Sequence, residues 1–160
     1  MPTDPYHRRV KNLMSRTVVS IGSEESMHDA IRLMEDNRVS ALPVLDQRNR
    51  CVGILTATDL IDLAHEIDEG LMDLEKVSNV TRQWLVEKLT EHDFEHQTVA
   101  AHMTTRVASV DPESTLAHAA TEILRHRVHH LPVLDDGQHL LGIISTTDIL
   151  AAFVEGAPDA

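Results

Sequence analysis

The pattern of the chain begins at "TVVSI" (Thr17 to Ile21), a short β-branched run, and then changes period. In "SMHDAIRLMEDN" the apolar residues Met27, Ala30, Ile31 and Met34 fall three or four apart, which predicts a helix with one buried face. Ser26 and Asp29 stand where a capping box would open it. "ALPVLD" and "CVGILT" follow as two strands joined by "QRNR", and a further helix is expected to open at Thr58-Asp59. The same order of periods then returns. "VASV" (Val107 to Val110) predicts a strand, and Asp111-Pro112 is expected to open a helix whose apolar face is Leu116, Ala119, Ala120 and Ile123. "HLPVLD" and "LLGIIS" predict two more strands with Asp136-Gly137 as a hairpin signal between them, and a last helix at Thr147-Asp148.

The recurrence is literal as well as periodic. Met14 placed over Met103 aligns residues 14–61 with 103–150 without a gap, and 16 of the 48 positions are identical. Such self-similarity marks two copies of one supersecondary unit. The expected architecture is α/β (α+β), two β-α-β-β-α repeats burying their apolar sheet faces against each other with pseudo-two-fold symmetry. Residues 1–61 carry the first repeat and 101–160 the second. Between them, residues 62–100 form a connector in which Leu74, Val77, Trp84, Leu85 and Leu89 suggest a helix or two covering the core edge, or a contact with a partner.

Composition narrows the picture. Hydrophobic residues make up 42% of the chain but aromatics only 2%, so the core has to be built from aliphatic side chains and Met. The formal net charge of -12 repels phosphate backbones and anionic lipid, which argues against nucleic acid and membrane partners. No apolar run approaches the roughly 20 residues that span a bilayer, and a soluble, cytoplasmic protein is expected. The single cysteine, Cys51, excludes an intramolecular disulfide and a thiolate metal cluster.

Candidate chemistry concentrates where the second hairpin strand of each repeat meets its last helix. Thr56-x-x-Asp59 and Ser145-x-x-Asp148 place a hydroxyl and a carboxylate at a helix N-terminus, with Thr58 and Thr147 as further hydroxyls. An ionised Asp there can accept hydrogen bonds from both hydroxyls of a ribose, although a capping box would explain the same four letters without any ligand. Gly53 and Gly142 stand where a side chain would crowd a neighbouring backbone or a ligand. "RVSALPVLD" (Arg38 to Asp46) and "RVHHLPVLD" (Arg127 to Asp135) differ only in Ser40-Ala41 against His129-His130. His126, His129 and His130, with His92 and His96, offer imidazoles to a metal, but no Cys or fixed carboxylate completes a ligand set. Neither a nucleophile elbow nor a Walker loop occurs, and no catalytic residue is assigned.

The doubled "LPVLD", followed by "GILTATD" and "GIISTTD", resembles a tandem pair of cystathionine-β-synthase (CBS) domains over nearly the whole chain outside the connector and termini. The resemblance implies a non-catalytic regulatory module that binds an adenosine-containing ligand (AMP, ADP, ATP or S-adenosylmethionine) in the cleft between repeats. It further implies a homodimer and an effector protein that the sequence does not name. By the same resemblance Asp59 and Asp148 hold ribose, Thr56 and Ser145 assist, and Thr17, Val18 and Val107 lie near the adenine, while Arg106 reads equally well as a surface residue. His129-His130 are expected to serve the ligand on Asp59, and Ser40-Ala41 the ligand on Asp148. The alternatives are a ligand-free scaffold for association and a metal-responsive regulator using the His cluster.

Overall fold

The computed structural model describes residues 4–67 and 96–156. The expected connector helices and their apolar stripe, with His92, lie outside the described residues. Strands β1 (Ile21–Gly22), β2 (Ala41–Leu45) and β3 (Cys51–Thr56) form one sheet in that order, and β4 (His130–Leu134) and β5 (Leu140–Ser145) form another. Helix α1 (Met27–Asn37) follows β1, and α2 (Ala57–Ile67) follows β3. In the second repeat α3 (Leu116–His126) precedes β4, and α4 (Thr146–Glu155) follows β5. This is the mixed α/β order the periodicity predicts.

The chain divides into two compact units that cut across the sequence repeats. Among the described residues, 19–47, 52–67 and 96–105 make one unit, while 4–18, 48–51 and 106–156 make the other. The segment preceding the first strand of each repeat thus groups with the other repeat. Within the first unit Ile54 and Thr104 exchange backbone hydrogen bonds of 3.0 and 2.9 Å. In the second, Ile143 and Ser15 do the same at 2.9 Å each. These bridges explain the glycines beside them. A Cβ on Gly53 would stand 2.5 Å from Met103 Sδ and 3.0 Å from the Thr104 carbonyl oxygen, and one on Gly142 would stand 2.7 Å from both Met14 Sδ and the Ser15 carbonyl oxygen. The neighbouring backbone and a methionine fill the space.

Each unit has its own aliphatic core. Met27, Ala30, Ile31 and Met34 of α1 pack with Leu42, Val44, Leu55 and Leu60 in the first. Leu116, Ala119 and Ile123 of α3 pack with Leu131, Val133, Ile144 and Ile149 in the second. Burial alternates along β3, with Cys51, Gly53 and Leu55 buried.

Three local expectations differ from the structure. The run Thr17 to Ile21 yields only the last residue of that run to β1, where Ile21 pairs in parallel with Val44, and Val107 to Val110 contributes one parallel bridge, Val110 to Val133. Only the end of each run meets a partner strand. Helix α3 begins at Leu116 rather than at Asp111-Pro112: Asp111 accepts from the Glu113 amide at 2.8 Å and closes a turn, while the Thr115 hydroxyl accepts from the His118 amide at 3.2 Å and caps the helix. In the β4–β5 turn the left-handed residue is Gln138 (φ 67°) and not Gly137, because the Asp135 carboxylate gathers the amides of Gly137 and His139 at 2.9 and 2.8 Å. Asn49 (φ 59°) holds the matching place in the first repeat.

Candidate functional site

In both repeats the end of the second hairpin strand and the first turn of the last helix form the same cap. The Asp59 Oδ2 accepts from the Thr56 amide at 2.8 Å and the Thr56 hydroxyl at 3.0 Å, and the Asp59 amide donates back to Thr56 Oγ1 at 3.3 Å. The Asp148 Oδ2 accepts from the Ser145 amide at 2.8 Å and the Ser145 hydroxyl at 2.9 Å, with the Asp148 amide returning to Ser145 Oγ at 3.1 Å. The helices therefore begin at Ala57 and Thr146, one residue before the expected Thr58 and Thr147, whose side chains are left exposed. Each cap fixes a half-buried carboxylate with one oxygen turned away from its own helix amides.

The pre-proline segment lies against the cap of its own repeat. The Ala57 amide donates to the Ser40 carbonyl oxygen at 2.9 Å, and the Thr146 amide to the His129 carbonyl oxygen at 3.0 Å. Thr146 adds its hydroxyl to the same acceptor at 3.3 Å, a tie that Ala57 has no side chain to copy. Because β4 and β5 are antiparallel with His130 opposite Ser145, the half-buried imidazole of His130 stands next to the second cap. Burial holds the His130 pKa below its usual value, the neighbouring His129 adds to this, and the Asp148 carboxylate works against it. His129 itself is exposed.

The structure thus gathers Ser40, Ala41, Thr56, Thr58 and Asp59 into the first unit, and Thr17, Val18, Val107, His129, His130, Ser145, Thr147 and Asp148 into the second. Ser40 and Thr17 are exposed, whereas Ala41, Val18 and Val107 are half-buried. One participant was missed in the sequence reading: the Thr104 hydroxyl donates to Asp59 Oδ1 at 3.3 Å across 45 residues of chain. The only sequence signal for it is that Thr104 and Ser15 fall opposite each other in the repeat alignment, a matched pair of hydroxyls. Among the described residues no group of three His, Cys, Asp or Glu side chains is arranged to hold a metal ion, and no helix is long and apolar enough to cross a membrane.

The matching helix N-termini, each with a capped carboxylate, mark the two repeats as copies of one structural unit. The family model for the CBS domain matches residues 10–66 and 99–155, and the chain belongs to the CBS domain family. It is 34% identical over 125 residues to the gamma-3 subunit of 5′-AMP-activated protein kinase of Sus scrofa, covering 78% of this chain and 21% of that subunit. The chain therefore spans about a fifth of that relative's length. Among solved structures it resembles CBSX2 in complex with AMP, with a TM-score of 0.70 and 23% identity over 92% of this chain and 96% of that one. It also resembles the CBS domain pair of protein MJ0100 in complex with 5′-methylthioadenosine and S-adenosyl-L-methionine, with a TM-score of 0.67 and 20% identity over 94% of this chain and 98% of that one. At these identities the two structures establish the fold.

Proposed function

We propose that the chain is a regulatory CBS pair that binds an adenosine-containing ligand, AMP, ADP, ATP or S-adenosylmethionine, with Asp59 and Asp148 accepting from ribose hydroxyls. The observation that carries this reading is the cap itself, repeated in both copies: a fixed carboxylate at a helix N-terminus with an oxygen not engaged by that helix. The AMP and S-adenosyl-L-methionine complexes of the similar structures support the ligand class. Thr56 and Ser145 hold the carboxylates in place, Thr58 and Thr147 offer exposed hydroxyls, and Thr17, Val18 and Val107 approach the base. Output to an effector protein follows from a ligand-dependent population shift. A homodimer is part of the reading, supported by the exposed apolar residues Leu124 on α3 and Leu150 and Val154 on α4.

Thermal unfolding with each ligand tests the function. A ligand at 100 times its Kd stabilises by about 2.7 kcal/mol, and the shift should fall in Asp59→Asn and in Asp148→Asn and vanish in the double variant. Absence of a shift with every adenosine compound would leave an association scaffold. The family resemblance assigns His129 and His130 to the ligand on Asp59, and Ser40 and Ala41 to the ligand on Asp148. A second assignment keeps each pair with the Asp of its own copy, and the pairing of His130 with Ser145, with the Thr146 and Ala57 amides bonded to the His129 and Ser40 carbonyl oxygens, favours it. His129→Ala and His130→Ala, each measured in the two single-Asp backgrounds, decide between them: loss of ATP affinity confined to the Asp148→Asn background supports the crossed assignment, and loss confined to Asp59→Asn supports the other.

A further inference from the structure

The two caps are alike in backbone and in their first carboxylate oxygen, and they part at the second. Thr104 and Ser15 occupy equivalent places, each held by a reciprocal pair of backbone bonds to the equivalent strand residue, Ile54 or Ile143. Their hydroxyls go to different acceptors. Thr104 Oγ1 donates to Asp59 Oδ1 at 3.3 Å, whereas Ser15 Oγ turns back to the Thr17 carbonyl oxygen at 3.3 Å. Among the described residues Asp148 receives hydrogen bonds from Ser145 alone, and all of them fall on Oδ2.

An ionised carboxylate accepts at about four positions, two on each oxygen. In both caps an amide and a hydroxyl saturate Oδ2. Asp148 Oδ1 then keeps both of its positions, enough for the two hydroxyls of a vicinal diol. Asp59 Oδ1 keeps one, because Thr104 holds the other. A side chain with a β-methyl has few χ1 states to choose from, so Thr104 is a standing competitor at this oxygen.

We infer that Thr104 is a specificity-determining residue: its hydroxyl occupies the position on Asp59 that the second hydroxyl of a ribose would take, and so ranks the Asp59 cap below the Asp148 cap for ligands carrying a vicinal diol. The inference rests on the proposed reading of the caps as ribose sites. A ligand with one hydroxyl meets no competition, since one acceptor position is free in either cap. A ligand with two must displace Thr104 from Asp59 or leave one of its own hydroxyls without a carboxylate partner.

The test uses the full chain and isothermal titration with AMP and with 2′-deoxy-AMP. In the Asp148→Asn background, where Asp59 is the remaining carboxylate of the pair, Thr104→Val should tighten AMP binding about three- to tenfold, the range of one exposed-to-half-buried hydrogen bond. Thr104→Ser, which restores the hydroxyl, should return affinity toward that of the Asp148→Asn parent. With 2′-deoxy-AMP the gain from Thr104→Val should be lost, and in the Asp59→Asn background Thr104→Val should leave AMP affinity unchanged. A purely structural role for Thr104 would move both nucleotides together. Measurable AMP binding in the Asp148→Asn chain that Thr104→Val weakens or leaves alone would overturn the role of Thr104 without touching the proposed function. AMP failing to bind the wild-type chain would overturn both.

Discussion

The Asp59 and Asp148 caps are the same local structure built twice, and their difference comes from residues that sequence distance hides. Each has its carboxylate Oδ2 bonded to the amide and hydroxyl three residues earlier. Around the first, Thr104 supplies a third donor to the carboxylate; around the second, His130 supplies an imidazole whose titration the carboxylate influences. A repeat therefore preserves what a backbone needs, a strand end and a capped helix, while the side chains facing that cap are free to make one copy unlike the other. The comparison separates two kinds of residue, those whose removal harms both copies alike and those whose removal harms one.

The largest effects should fall equally on the two cores. Leu42→Ala and Leu131→Ala each remove a fully buried side chain from the strand position just before the proline of β2 or β4, and each should cost about 2–5 kcal/mol in denaturant unfolding. A cost confined to one would show that the two cores do not contribute alike. Next come the glycines, where the copies should diverge. Gly142→Ala forces a methyl within 2.7 Å of the Ser15 carbonyl oxygen, whereas at Gly53 the backbone oxygen is at 3.0 Å and the tightest neighbour is the movable end of Met103. Both changes should destabilise, on the order of 1–3 kcal/mol, with Gly142→Ala the worse. Equal costs would mean that the two bridges give way alike.

Helix caps give a smaller and more even comparison. Ser26 and Thr115 each accept an amide hydrogen bond at the start of α1 and α3, and Ser26→Ala and Thr115→Ala should each lower stability by about 1 kcal/mol in thermal unfolding. The capping of α1 was legible from Ser26 and Asp29 alone. That of α3 was not, because Asp111-Pro112 carries the same helix-opening signature and the structure uses it for a turn instead.

The four hairpin strands were legible almost to the residue, since short apolar runs bounded by turn residues mark them, whether buried continuously as in β2 and β4 or alternately as in β3. The first strand of each repeat was overestimated, because β-branched residues favour extension but a strand also needs a partner, and only Ile21, Gly22 and Val110 find one. At the site, Thr56, Asp59, Ser145 and Asp148 were legible because capping is a local pattern over four residues. Thr104 was not: nothing near it in sequence announces that a bridge to Ile54 will carry its hydroxyl to Asp59. The opposition of Ser40-Ala41 to His129-His130 puts imidazoles in one copy only. Its electrostatic content, an imidazole held partly out of water beside a carboxylate, depends on the β4–β5 register.

The smallest effect is a pH dependence confined to one copy. Burial first, and then His129, depress the His130 pKa below its unfolded value, and Asp148 offsets only part of this. A base with a depressed folded pKa is neutral in the folded state where the unfolded chain would already bind a proton. Its contribution to stability is present above about pH 6.5 and is lost as pH falls through the folded pKa. A histidine titration followed by NMR should place His130 below the ordinary imidazole value, and His130→Ser should remove that part of the acid sensitivity of unfolding. An unshifted His130 would break this part of the comparison.

The central claim is that the two caps receive the same ligand unequally. An AMP titration of the wild-type chain, followed through the backbone amides of Thr56 and Ser145 that donate to Asp59 and Asp148, tests it directly. The Ser145 resonance should shift at lower AMP concentration than that of Thr56, with the Thr56 shift moving to lower concentration in Thr104→Val. Coincident shifts, or amides that stay in place at millimolar AMP, would contradict the account.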